Sequence, residues 1–179
     1  PAVAALSVGI LITTGNEIIN LVFGVWLEDR FGLQLIALGS ASAVIGFAEL
    51  GGEGLVGLLV DRIGKIRSIR YGIVLNILSC VLLVILGQSV AGALVGLFLF
   101  YITFEFTLVS SIPLMTEILP GSRASMLAFN VAGLSFGRAL GSFISPWLYG
   151  LGLLVSAGGA IVFNILGLAA LRGVVVEEG

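Results

Sequence analysis

Five ionisable side chains stand inside long apolar runs of this sequence: Glu17, Glu49, Glu53, Glu105 and Arg138. A charge at the centre of an apolar span costs about 2.5–3.5 kcal/mol on insertion scales. Stability therefore gives no reason to keep them, and such groups normally face a wet cavity or a partner. A carboxyl at depth can take up and release a proton or meet a cation. A guanidinium can bind an anion or hold a carboxylate ionised. Thr13, Glu17, Asn20 and Gly24 share one helical face by their spacing. Glu105 shares a face with Phe98 and Tyr101, and Arg138 a stripe with Ser135, Ser142, Ser145 and Tyr149. Glu49 and Glu53 are one turn apart, on a face with Gly46 and Gly57. The alternative is that these groups form buried ion pairs that only fix packing. Four acids against one base cannot all pair, so some must be protonated, hydrated or paired outside this chain.

A second concentration of chemistry is the stretch GLLVDRIGKIR, Gly57 to Arg67. It holds Asp61 and three bases, Arg62, Lys65 and Arg67, in a chain with only 10% charged residues. Topology alone accounts for the bases. It does not account for Asp61, an acid at a helix C-terminus whose dipole repels negative charge. A close helix crossing at Gly57, with Asp61 accepting hydrogen bonds from a neighbouring helix N-terminus or base and Gly64 supplying a sharp turn, would explain both.

Six apolar runs must carry these residues, at about 2–27, 35–60, 69–87, 91–112, 125–149 and 151–171. Each approaches the length of about 20 residues that a spanning helix needs. The composition agrees: 59% hydrophobic, mean hydropathy +1.22, and less than half the charge, about 25%, of a soluble domain. No Pro/Ser-rich linker divides the chain, so residues 1–179 read as one all-α membrane domain whose short connections make sequential helices antiparallel. A net charge of -2 excludes an electrostatic footprint for nucleic acid. Cys80 stands alone, so neither a disulfide framework nor a thiolate metal cluster is expected. Histidine is absent, which removes the usual metal ligand and near-neutral proton carrier. No cofactor or metal is expected.

Charge sets an orientation. Arg62, Lys65, Arg67, Arg70, Arg123 and Arg172 fall at one end of the spans and Arg30 at the other. The positive-inside rule then puts both termini in the cytoplasm and the chain in the plasma (inner) membrane.

The loop resembles the signature loop of the major facilitator superfamily: glycine, three residues, aspartate, a base, any residue, glycine and two bases. Gly57, Asp61, Arg62, Gly64 and Lys65 fit it, Ile66 stands where the second base is expected, and Arg67 follows one place late. The stretch from Leu119 to Gly150 is similar to the fifth helix of a half in that family, with Pro120 and Arg123 leading in. Gly133, Gly137, Gly141 and Ser145 recur there every four residues as a groove for close helix contact.

The resemblance implies one six-helix half made of two inverted three-helix repeats, the charged loop acting as a breakable latch in the gating cycle. It sets Glu17, Asn20, Glu105 and Arg138 in the central cavity as candidates for coupling or substrate. Glu49 and Glu53, nearer the cytoplasm, stand as charge-relay partners of the latch.

The function implied is secondary transport of a small molecule by alternating access, coupled to protons as symporter or antiporter or passive. The other half would be part of the same polypeptide or a second copy. The competing reading is a non-transporting scaffold or receptor-like protein on the same fold, for which the buried glutamates would be replaceable. An intramembrane enzyme lacks histidine and any convincing serine–lysine or aspartyl pair, and no P-loop is present to use ATP. Glu105 where a first half often carries arginine, the missing initial methionine and the short tail LRGVVVEEG favour a C-terminal half.

Overall fold

The computed structural model describes residues 1–174, so the last five residues of the tail stretch LRGVVVEEG lie outside the described part. Among the described residues the chain is helical, with α1 Ala2–Asn20, α2 Phe23–Phe31, α3 Leu35–Ile63, α4 Lys65–Leu86, α5 Val90–Ile118, α6 Arg123–Tyr149 and α7 Leu153–Leu171. A short 3-10 turn, Pro120–Ser122, leads into α6. Six spans are long and apolar enough to cross a membrane, α1 and α2 together forming the first.

The helices outrun the apolar runs that mark them. α3 continues to Ile63 and α4 starts at Lys65, so the charged loop is helical on both sides of one residue, Gly64. Hydrophobicity measures the thickness of the membrane, and a helix can continue into water beyond it. Gly64 has φ +91, where a side chain would be strained. α5 also passes through Pro113, where the sequence suggested an end at Ile112. Hydroxyls bond carbonyls on both sides of that proline, Ser111 to Leu108 and Thr116 to Pro113. Such side chains help tolerate the bond that proline removes.

The first span breaks at Leu21–Val22. There the Val22 N–H bonds Ile19 three residues back, tightening the last turn of α1 before α2 begins.

Packing is selective. α1 lies against α6 and α7, α5 lies against α3 and α4, and α4 meets α7. One apolar cluster gathers Trp26, Leu27, Leu83, Phe100 and Ala160, and a second gathers Ile12, Ile73, Phe104, Met115 and Leu171. The stretches between these clusters on each helix carry polar side chains: Thr13 to Glu17 on α1, Asn76 and Ser79 on α4, Thr103 on α5 and Asn164 on α7. A polar layer therefore separates two apolar ends. α3 and α6 keep wide exposed faces, with Phe47, Leu50 and Leu58 on one and Phe129, Phe136, Phe143 and Trp147 on the other.

Candidate functional site

Glu17 stands where α1 crosses α6, and the fit there demands glycine. A Cβ on Gly141 would lie 2.6 Å from Glu17 Cβ and 2.7 Å from the Thr14 carbonyl oxygen. Glu105 on α5 has the same neighbour on α3. A Cβ on Gly52 would lie 2.8 Å from Glu105 Cβ and 2.9 Å from the Ile102 carbonyl oxygen. In both crossings the glycine touches the stem of a glutamate and the carbonyl three residues before it. The positions also recur along the chain. Glu105 follows Glu17 by 88 positions, Gly141 follows Gly52 by 89, and Asn164 follows Asn76 by 88. Asn164 donates to Asn76 Oδ1 at 3.0 Å, which joins α7 to α4 in the buried layer.

The two glutamates differ in their bonding. Glu17 accepts from Ser142 Oγ at 3.2 Å and from Asn20 Nδ2 at 3.1 Å. Asn20 Oδ1 in turn accepts from the Tyr101 hydroxyl at 2.7 Å. One chain of bonds thus runs from α6 through α1 to α5. Glu105, half-buried, stands one turn beyond Tyr101 and forms no ion pair among the described residues. Asn16 lies one turn before Asn20. Because α1 and α5 run antiparallel, the Asn20–Tyr101 bond sets Asn16 at the level of Glu105. Asn16 is 6% exposed, and its Oδ1 has no hydrogen-bond partner.

Other candidate residues lie round this layer. Glu49 and Glu53 flank Gly52 on α3, Glu49 half-buried and Glu53 exposed. They therefore sit at the level of Glu105, with Glu53 two turns before Asp61. Arg138 is exposed on α6, one turn before Ser142, and forms no ion pair among the described residues. Gly137 lies against the Ile10 carbonyl and Thr13, Gly133 against the Ile10 side chain, and Ser145 donates to the Ile18 carbonyl at 2.6 Å.

The charged loop is only partly engaged. Lys65 pairs with Glu117 at the end of α5. Asp61, Arg62 and Arg67 are exposed. The close crossing that the sequence suggested at Gly57 is not made among the described residues, since nothing lies within 4 Å of a Cβ built there. α3 meets α5 along the stripe Ala41, Ile45, Ala48 and Gly52. Gly57 falls roughly 140° round the helix from Gly52. It shares its outward face with Asp61, one turn on. At the opposite end Tyr149 donates to Asp29 at 2.7 Å and Arg30 to Gln88 at 2.8 Å, tying α2 to its neighbours.

Sequence reasoning did not find the roles of Gly52, Glu117, Asn76 and Asn164. Comparing the chain with itself would have aligned Asn76 with Asn164 at an offset of 88 and Gly52 with Gly141 at an offset of 89. Glu117 has no such signal, because its partner is set by where α5 ends.

The family model of the Major Facilitator Superfamily matches residues 5–178. No curated protein and no solved structure matches the chain.

Proposed function

The chain belongs to the major facilitator superfamily, and from that premise we propose that it is a six-helix half of a secondary transporter that couples a small molecule to protons through Glu17 and Glu105. Members of this family are transporters. The observation that carries the reading is the pair of matched crossings, Glu17 on Gly141 and Glu105 on Gly52. They support two three-helix repeats of inverted orientation, α1 to α4 and α5 to α7, with a carboxyl at the same station in each. Transporters of this kind bind near the midplane where the repeats meet.

The chemistry follows from the partners. Ser142 on α6 and Asn20 on α1 hold the Glu17 carboxyl with two donors. The unpartnered Asn16 Oδ1, level with Glu105, is an acceptor that a protonated carboxyl would satisfy. The bonds through Asn20 and Tyr101 carry the network from Glu17 to within one helical turn of Glu105. In this reading the charged loop is a gating latch with Asp61 facing the second half, which is the rest of the same polypeptide or another copy. Glu49 and Glu53 stand level with Glu105 on the helix that leads to the loop, where they relay charge between cavity and latch, and Arg138 serves the cavity as a site for an anionic group. The charge bias supports cytoplasmic termini in a plasma membrane, and Glu105 supports the C-terminal half.

Uptake into proteoliposomes with and without an imposed proton gradient tests the assignment. Glu17→Gln or Glu105→Gln is expected to abolish gradient-driven accumulation while exchange partly survives. Accumulation like wild type in both variants would remove the coupling role from these glutamates and leave the proton to be carried by the other half or not at all, whereas a wild type that moves no substrate would leave the scaffold reading in its place.

A further inference from the structure

A cavity of about 450 Å³ opens where α3 turns into α4, beneath the end of α5, and none of the coupling residues touches it. Gly64, Lys65, Arg67 and Arg70 line one side and Leu114 and Glu117 the other. Glu117 pairs with Lys65, which leaves Arg67 and Arg70, both residues of the lining, without a carboxylate partner among the described residues. The cavity also abuts the N-terminus of α4. That 22-residue helix begins at Lys65 with no side-chain cap, so its first-turn N–H groups point outward with the positive end of the dipole. Two unpaired guanidinium groups, a lysine and uncapped amides around one cavity are a recognition set for an oxyanion. Its position at the end of membrane-spanning helices matches the depth of lipid headgroups.

We propose that this cavity binds a phosphate group, held by Arg67 and Arg70 against the start of α4. The inference stands on the cavity and on the membrane spans and does not need the coupling assignment. Leu114 on the far wall provides an apolar margin for the glycerol end of a lipid. Phosphate also competes with Glu117 for Lys65, so its arrival bears directly on the contact between the loop and α5.

The test uses the purified full chain. Binding of phosphatidylglycerol and phosphatidylcholine is followed by native mass spectrometry and by thermal stability, and inorganic phosphate is added in a separate arm. Phosphatidylglycerol is expected to bind and stabilise the wild type more than phosphatidylcholine does. The double variant Arg67→Gln/Arg70→Gln should bind it roughly 30-fold more weakly, about fivefold per arginine. If the double variant does not fold, the single variants carry the same reading at about fivefold each. Arg123→Gln, which removes a base at the same membrane end outside the cavity, should bind like wild type. Lipid binding that inorganic phosphate does not displace identifies a headgroup as the occupant. Displacement by inorganic phosphate, dependent on Arg67 and Arg70, identifies free phosphate. Equal binding by wild type and double variant, or an equal loss in Arg123→Gln, would overturn the proposal in favour of diffuse surface charge.

Discussion

Gly52 and Gly141 set how closely α3 and α6 approach the two glutamates. At Gly52 and Gly141 the neighbouring backbone carbonyl is under 3 Å from a built Cβ, and a carbonyl cannot swing aside as a flexible side chain can. Gly54, two residues along α3, has nothing within 4 Å. Alanine at Gly52 or Gly141 should therefore cost about 1–3 kcal/mol of stability through forced helix separation. Alanine at Gly54 should be neutral or slightly stabilising through helix propensity. Thermal unfolding of the three variants in one detergent checks this, and equal midpoints would show that the crossings are loose. The acidic residues of the site were visible in the sequence because charge in an apolar run stands out. Their glycine partners were not, because 26 glycines are spread over the chain and only the crossing geometry separates a required one from a tolerated one.

The helices themselves were legible, since six apolar runs of spanning length leave no other fold. The inner ends of those helices and their pairing were less so. The break at Leu21–Val22 falls inside an apolar run without proline, and it follows from the tight turn after Ile19 and from α2 being tied at Asp29 and Arg30. Pairing is set in the polar layer, where Asn76 and Asn164, each 2% exposed, join α4 to α7. Asn76 also donates to the Phe100 carbonyl at 2.8 Å and to Thr103 Oγ1 at 3.0 Å, so it links α5 as well. Replacing Asn76 by leucine strands more partners than replacing Asn164. The expected losses are about 1–2 kcal/mol for Asn76→Leu and about 0.5–1 kcal/mol for Asn164→Leu. The double variant should lose less than the two combined, because each single variant already breaks the shared bond. A double-mutant cycle on unfolding free energy in mixed micelles measures that coupling, and strict additivity would mean that the Asn76–Asn164 bond contributes nothing.

At the scale of the whole molecule, α3 presents a line of small and charged residues outward: Glu53, Gly54, Gly57 and Asp61 are all exposed although α3 is a membrane-spanning helix. A lipid-facing glutamate at depth would be costly, and glycines facing lipid would serve no packing. Such a face suits contact with protein or a wet cavity. The outward direction of Asp61 is the reason the sequence could identify the loop but not its partner, since no described residue of this chain meets that carboxyl. Within the described part the loop is held only by Lys65 on Glu117 and by the turn at Gly64. If Asp61 closes the gate by bonding across to the second half, its charge matters in one state of the cycle and not to folding of this half. Asp61→Asn keeps the size and removes the charge. It should leave expression and thermal stability within about 0.5 kcal/mol of wild type, as for other exposed substitutions. Transport by the intact transporter should fall roughly fivefold or more, the lower end of coupling energies between two states. Parallel loss of stability and transport would instead make Asp61 a folding residue of this half. Transport unchanged at equal expression would reduce the loop to a topology signal.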